Sequence, residues 1–420
     1  MTRRVPCPRP GWSSLCLLAL LLALGCTEKK GSPVGVGLID PDRWGEGPID
    51  TVLYAVQDTS FEEVTNEGAA SDLYVGRSGQ TAMRSLLIFD GLPEADSIIR
   101  ATVRLKRSPS YSVSSFDIVA YPVTTEWDEL EVTWEDAARD SAGNSIPWGQ
   151  PGGDHDVVEA GRFTFSDAEG DTLYEMDLDS DLVKGWIDGS SANLGIILIS
   201  SDEGSETALA SLASRQSESG AGEPTLDLEY VTTDDPDTIQ TAEVLVNRDV
   251  FIYDYQGTDV PANLLLGDVP AFRSLLRFDL SGFDSTWTVI RAEMDLHVRD
   301  STRLHDDLTV DASAVNDSTW SGPDTDFDTA ILASATVSPG DSTISLNLTL
   351  RVQLWVTGDY DNNGLVVRMG RLTDRFGYLE LHGIDSPQSE WRPSMRITYH
   401  KPGEAPFDRV AGPRAARSAE

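Results

Sequence analysis

Apolar and polar residues alternate with period two along much of this chain. Ile99, Ala101, Val103 and Leu105 are separated by Arg100, Thr102 and Arg104, and far downstream Ile290, Ala292, Met294, Leu296 and Val298 alternate with Arg291, Glu293, Asp295 and His297. That pattern buries one face of a strand and leaves the other in water, as in antiparallel sheets. Leu226, Leu228 and Tyr230 repeat it, as do Met395, Ile397 and Tyr399. Residues 195–200 and 364–369 are more continuously apolar and predict central strands. Only one spacing is helical: Leu182, Val183 and Trp186 predict a turn of helix over 180–187, with a counterpart over 349–356.

The paired segments belong to an internal repeat. Arg84-Ser85-Leu86-Leu87-Ile88-Phe89-Asp90 recurs as Arg273-Ser274-Leu275-Leu276-Arg277-Phe278-Asp279. Ala101 matches Ala292 at an offset of 191, whereas Trp186, Gly189, Asn193, Gly195, Pro224 and Tyr230 match Trp355, Gly358, Asn362, Gly364, Pro393 and Tyr399 at an offset of 169. The first copy therefore holds 22 extra residues between Leu105 and Trp186. Many short strands, frequent turn residues and little helix predict an all-β protein of two tandem antiparallel β-sandwiches, jelly-roll-like, over 49–232 and 240–402. Residues 233–239 read as a charged linker, and 403–420 as a disordered tail.

The front of the chain changes the picture. Arg3, Arg4 and Arg9 precede an apolar run, Leu15 to Leu24, too short for the roughly 20 residues of a membrane span. It ends in Ala23-Leu24-Gly25-Cys26, which resembles a bacterial lipobox. Residues 1–25 thus read as a lipoprotein signal peptide, Cys26 as the lipidated residue and 26–48 as a flexible tether. Cys7 and Cys16 fall inside the signal, so Cys26 is the only cysteine left after cleavage and has no disulfide to make. The expectation is an exported protein, lipid-anchored at the outer membrane or cell surface. Formal charge is −37, and losing the three arginines of residues 1–25, which contain no acids, takes it to −40. Such a surface repels nucleic acid and anionic lipid.

The repeat blocks carry a resemblance to a known family. Beside the Arg-Ser-Leu-Leu-x-Phe-Asp strand, copy one has Val123-Thr124-Thr125-Glu126-Trp127-Asp128-Glu129, Val132-Thr133-Trp134, Leu182-Val183-Lys184-Gly185-Trp186 and Ser214-Arg215-Gln216. It resembles the DNRLRE domain, also called the disaggregatase-related repeat. Copy two departs from it, keeping Val315 and Trp320 but no second tryptophan, and placing Gly383-Ile384 where copy one has Ser214-Arg215. The resemblance implies extracellular β-sandwich modules, some of them polysaccharide-binding and often found with carbohydrate-active enzymes.

Enzyme motifs are absent: there is no Gly-x-Ser-x-Gly elbow, His-Glu-x-x-His helix or phosphate loop. Acid pairs such as Asp177/Asp179 and Glu126/Glu129 are read as surface and turn residues rather than glycosidase carboxylates. Asp359, Asp361 and Asn363 resemble the first half of a calcium loop, but Gly370 stands where the closing glutamate belongs. Structural calcium is the one cofactor left open. For a ligand, Tyr111 in a serine-rich turn and Trp148 in the copy-one insertion are the candidates, because loops on a rigid sandwich commonly carry function. A core-capping role for Trp148 stands beside that reading. The expected function is non-catalytic binding of polysaccharide, or adhesion, through copy one's loops. The alternatives are a scaffold lipoprotein docking envelope proteins and, behind it, a polysaccharide hydrolase or lyase.

Overall fold

The computed structural model describes residues 47–108, 112, 114–166, 173–217, 222–257, 263–300, 307–370 and 376–402. Cys26, Tyr111, the signal segment and residues 403–420 lie outside them, as does the tether up to residue 46.

The protein is all-β. Strand β1 is Ile49–Glu62, β2 Asp72–Ser78, β3 Thr81–Ile88, β4 Ser97–Lys106, β5 Phe116–Pro122, β6 Asp136–Arg139, β7 Ser145–Pro147 and β8 Gly161–Phe165. Strand β9 (Leu173–Leu178) precedes helix α1 (Ser180–Asp188), and β10 (Ile196–Ser200), β11 (Thr207–Ala213) and β12 (Thr225–Thr232) follow it. Then come β13 (Asp235–Leu245), β14 (Arg248–Tyr255), β15 (Asn263–Val269), β16 (Phe272–Phe278), β17 (Thr288–Asp300) and β18 (Leu308–Ala314). The last elements are β19 (Ala333–Val337), β20 (Thr343–Asn347), helix α2 (Thr349–Thr357), β21 (Leu365–Met369), β22 (Gly377–His382) and β23 (Ser394–His400).

Two large antiparallel sheets result, each folded into a sandwich. The first runs β11-β2-β3-β10-β5-β8-β9-β4-β12-β13, with β14 added on β3. The second runs β15-β22-β17-β23-β1-β16-β21-β18-β19, with β20 on β17. The alternating strands put Ala101, Val103 and Leu105 into one core with Phe89, Trp186, Leu226 and Leu228. Both helices end at a glycine, Gly189 and Gly358 with φ of 74° and 80°, a left-handed conformation that glycine adopts without strain. Asp179 caps α1 by accepting from the Asp181 N–H at 2.8 Å. Leu348, its counterpart at α2, makes no such bond.

The repeat is visible atom by atom. Ser85 donates to the Tyr74 carbonyl and Ser274 to the Leu265 carbonyl, each at 2.8 Å. Asn193 donates to the Phe89 carbonyl and Asn362 to the Phe278 carbonyl, again each at 2.8 Å. Trp127 and Trp320 are equivalent too, both donating through Nε1 at 3.0 Å, to the carbonyls of Leu194 and Asn363.

The sheets do not follow the boundaries expected at 49–232 and 240–402. In the first sandwich β13 lies along β12 and β14 along β3, from Arg248 opposite Ile88 to Tyr255 opposite Thr81. In the second, β1 takes both roles: it lies beside β23, and from Ala55 onward pairs with β16, ending with Glu62 opposite Phe272. Residues 235–255 thus complete the first sandwich, and the N-terminal strand, far upstream of its partners β16 and β23 in the chain, completes the second. The linker expected at 233–239 is a tight turn at Thr233 and Asp234 and the beginning of β13. A strand's own alternation says which side is buried, not which strand it will pair with, so this closure is invisible in the local pattern. A further apolar cluster of Tyr74, Met83, Leu209, Phe251 and Tyr253 with Val269 and Phe376 spans the two.

Because β1 is an interior strand of the second sheet, deleting residues 49–62 strips β16 and β23 of a neighbour. Hydrogen exchange should then show protection of Leu365–Met369 falling by about tenfold or more, while Ile196–Ser200 in the first sandwich keeps its own. Equal loss in both would show that the closure is not specific to the second sandwich.

Candidate functional site

In antiparallel sheets, directly opposed residues share a face. The pairings Phe61 with Arg273, Arg273 with Arg368, Arg368 with Asp311, and Asp311 with Ser334 therefore set a row of side chains across five strands, β1, β16, β21, β18 and β19. From Arg273 to Ser334 this row floors a cleft of about 440 Å³, walled by Glu63 and Thr65 just past β1, by Asp268 and Phe272, and by Ile331.

The polar groups are positioned by aromatic and ionic contacts. Arg273 pairs with Glu63, and its guanidinium lies over the Phe327 ring at 5.0 Å. Arg368 lies over the same ring at 5.5 Å and has no hydrogen bond or ion pair among the described residues. Asp311 is buried and accepts from the Ser334 hydroxyl at 2.5 Å through Oδ1. Stacking holds a guanidinium by its face and leaves its N–H edge to donate. The cleft therefore offers a guanidinium edge with no partner among the described residues, a second arginine, hydroxyls of Thr65, Thr309 and Ser334, and carboxylates within one concave surface.

The same row exists in copy one, with different side chains and with its arginine engaged. Register places Ile199 where copy two has Arg368, Val119 where it has Asp311, and Arg162 where it has Ser334. Arg84, the counterpart of Arg273, is fully engaged: it donates to both Glu203 carboxylate oxygens at 2.7 and 2.9 Å and to the Gly152 carbonyl at 2.8 Å, and lies over Trp134 at 4.9 Å. Trp134 and Phe327 thus do one job, which the missing second tryptophan of copy two concealed in the sequence. The β6–β7 hairpin and the loop after it, which account for the copy-one insertion, close over this face. Gly152 packs so tightly that a Cβ would lie 2.8 Å from Arg84 and from Trp134, and at Gly153 a Cβ would lie 2.8 Å from Ile197.

That packing corrects the expectation for Trp148. It is 5% exposed, belongs to a core cluster with Trp127, Val132 and Ile197, and donates through Nε1 to the Thr133 carbonyl at 2.9 Å. It is a core cap and presents no face to a ligand. The insertion covers the sheet in copy one, and the open face is in copy two. The turn at 359–364 is likewise used internally. Asp359 accepts from the Thr357 hydroxyl at 2.7 Å, and Asn363 donates from Nδ2 to the Asn316 carbonyl at 2.7 Å while its own carbonyl accepts from Arg277 and Trp320. Asp361 is exposed in the same turn. Among the described residues no group of three or more His, Cys, Asp or Glu is placed to hold a metal. Of the acid pairs, Asp177 binds Arg100 and Thr102, Asp179 caps α1, and Glu129 accepts from Arg215 through both oxygens at 2.8 and 2.9 Å.

No family model and no curated protein matches the chain. Among solved structures, it is similar to particles derived from infectious bursal virus at 11% identity, over 86% of this chain and 77% of that one, with a TM-score of 0.14. The VP2 subviral particle of infectious bursal disease virus gives 11%, 87%, 79% and 0.14. Likenesses at these scores carry no argument about fold or function.

Replacing Trp148 by Ala should cost about 3–5 kcal/mol in urea unfolding, the range for a large buried aromatic side chain. A cost under about 1 kcal/mol would mean the indole is not core.

Proposed function

We propose that this chain is a non-catalytic, lipid-anchored surface protein that binds polysaccharide in the cleft of its second sandwich. The observation that carries the reading is the contrast between the copies at one row of positions. Copy one has Ile199 and Val119 under a hairpin; copy two has Arg368 and Asp311 in an open cleft. Placing charged and polar groups on a sheet face costs stability unless they have partners, so a concave set whose Arg368 has no polar partner among the described residues fits recognition better than packing.

A sugar ring suits that set. Its neighbouring hydroxyls both donate and accept, so one pair can bridge a guanidinium edge and a carboxylate in the way Arg368 and Asp311 are juxtaposed. Support for the exterior setting comes from the lipobox-like Ala23-Leu24-Gly25-Cys26 and from the resemblance to DNRLRE modules. The two acid pairs singled out in the sequence give little support to hydrolysis: Asp177, Asp179 and Glu129 are each taken up by a cap or an ion pair.

A polysaccharide array followed by calorimetry on the mature chain tests this. Arg368→Ala and Asp311→Ala should each weaken binding about tenfold or more, equivalent to roughly 1.4 kcal/mol, with Arg104→Ala on the solvated face of β4 unchanged. Silence on every polysaccharide would sink the reading. A stoichiometric protein partner in its place would favour a scaffold role.

A further inference from the structure

Each closing strand carries an aspartate at the same place. Asp249 of β14 lies opposite Leu87, and Asp58 of β1 lies opposite Leu276, the matching residue of the repeated Arg-Ser-Leu-Leu motif. Both carboxylates reach the turn that follows the equivalent strands β11 and β22. Asp249 Oδ2 accepts from the Arg215 backbone N–H at 2.7 Å, and Asp58 Oδ2 accepts from the Ile384 backbone N–H at 2.8 Å. Arg215 and Ile384 are themselves equivalent at the repeat offset of 169. The chain thus fastens each closing strand to its sandwich with one carboxylate on one amide.

The two fasteners are under-compensated as anions. Asp249 is 1% exposed, and its Oδ1 has no hydrogen-bond partner among the described residues. Around it stand Glu129 from the loop after β5, whose Oε1 accepts from the Asp249 N–H at 3.0 Å, and Arg215 and Glu223 from the segment between β11 and β12. The neighbouring Arg248 is turned away, donating to the Trp127 carbonyl and lying over its ring. From β3 only Leu87 faces it. Arg215 spends its Nη2 on Glu129, and its Nε is 3.9 Å from Asp249 Oδ1. Two carboxylates and a third acid therefore share one half-exposed arginine. Asp58 is half-buried, with the like charge of Asp385 beside it.

We infer that these are acid-tightened clasps: protonation of Asp249, and of Asp58 in the second sandwich, strengthens the hold on the closing strand. A neutral carboxylic acid keeps its acceptor oxygen for the backbone amide, no longer carries a charge stripped of its hydration, and no longer repels Glu129. Burial, the leading cause, pushes Asp249 up to about 6 from its ordinary 3.8, and Asp58 is raised for the same reason. The sign follows from proton linkage. Between the ordinary and the raised value the closed state binds more protons than the open one, so closure gains stability as pH falls through about 6 and loses it as pH rises. The consequence reaches the cleft, because β1 runs directly into Glu63 and Thr65, and β14 leads on to β15 with Asp268 at its end.

Hydrogen exchange of the mature chain at pH 5 and pH 7.5, corrected for intrinsic chemical exchange, reads this out strand by strand. Protection of Val250–Tyr253 relative to the open state should be about tenfold greater at pH 5, the factor set by a carboxyl titrating near 6 against 3.8. Asp249→Asn should abolish that dependence in β14 while leaving the smaller one in β1, which Asp58→Asn removes. Dependence that survives Asp249→Asn, or protection that is flat or falls on acidification in the unmodified chain, overturns the inference. If either variant fails to fold, a carboxyl carbon titration of the unmodified chain decides instead: a midpoint near 6 for Asp249 supports the clasp, and one below about 4.5 refutes it.

Discussion

The second sandwich closes only because β1 fits between β23 and β16, and most of the rest depends on that ladder. A sandwich with that position vacant would expose the unpaired backbone of two strands and part of its core, a liability that folded chains avoid. In the first sandwich the same position is filled by the next strands along the chain, β13 and β14. In the second sandwich the chain's first strand fills it. The pairing bridges the longest sequence separation in the fold, which makes it the most costly contact in chain entropy to form. The apolar cluster around Tyr74, Phe251 and Phe376 then ties the two modules along the same seam.

Duplication gave the protein two copies of one face, and they have been put to different uses. In copy one the face is apolar at Ile199 and Val119, and a hairpin with Trp148 and two packed glycines is laid over it. In copy two the hairpin is missing, Phe327 alone stands in for Trp134, and the floor is Arg368 and Asp311. The same guanidinium-on-aromatic contact at Arg84 and Arg273 supports a sealed core in one case and an open cleft in the other. Losing a cover and acquiring charges at the positions beneath it are mutually consistent changes, because charged groups would be costly under the hairpin and apolar ones would be exposed without it.

Burial of the closing-strand aspartates shows how a fastening can also be sensitive to its surroundings. A single amide donor is enough to orient a carboxylate but not to replace the hydration it loses. Asp249, with Glu129 for a neighbour and half of an arginine for compensation, sits at that limit.

The sequence by itself determined the all-β character, the repeat, the two short helices with their glycine ends, and the burial of strands such as β4 and β17. These follow from local alternation and from turn chemistry, which each segment carries within itself. It also held the resemblance in copy one's tryptophan motifs, which the structure assigns to core and cover. Tertiary structure alone decided which strand closes which sandwich, since pairing partners are chosen by complementarity across the whole chain. It also decided where the open site lies. Trp148 looked like a ligand platform because it sits in a glycine-rich loop, but whether such a loop points outward or folds down on a sheet depends on the face beneath it. Arg368 and Asp311 carry no signal in the linear chain, Arg368 one charged residue in a largely apolar strand and Asp311 one polar residue in an alternating strand. They become neighbours only when β21 and β18 align in register, and they line an open cleft because the hairpin found in copy one is not there to cover it.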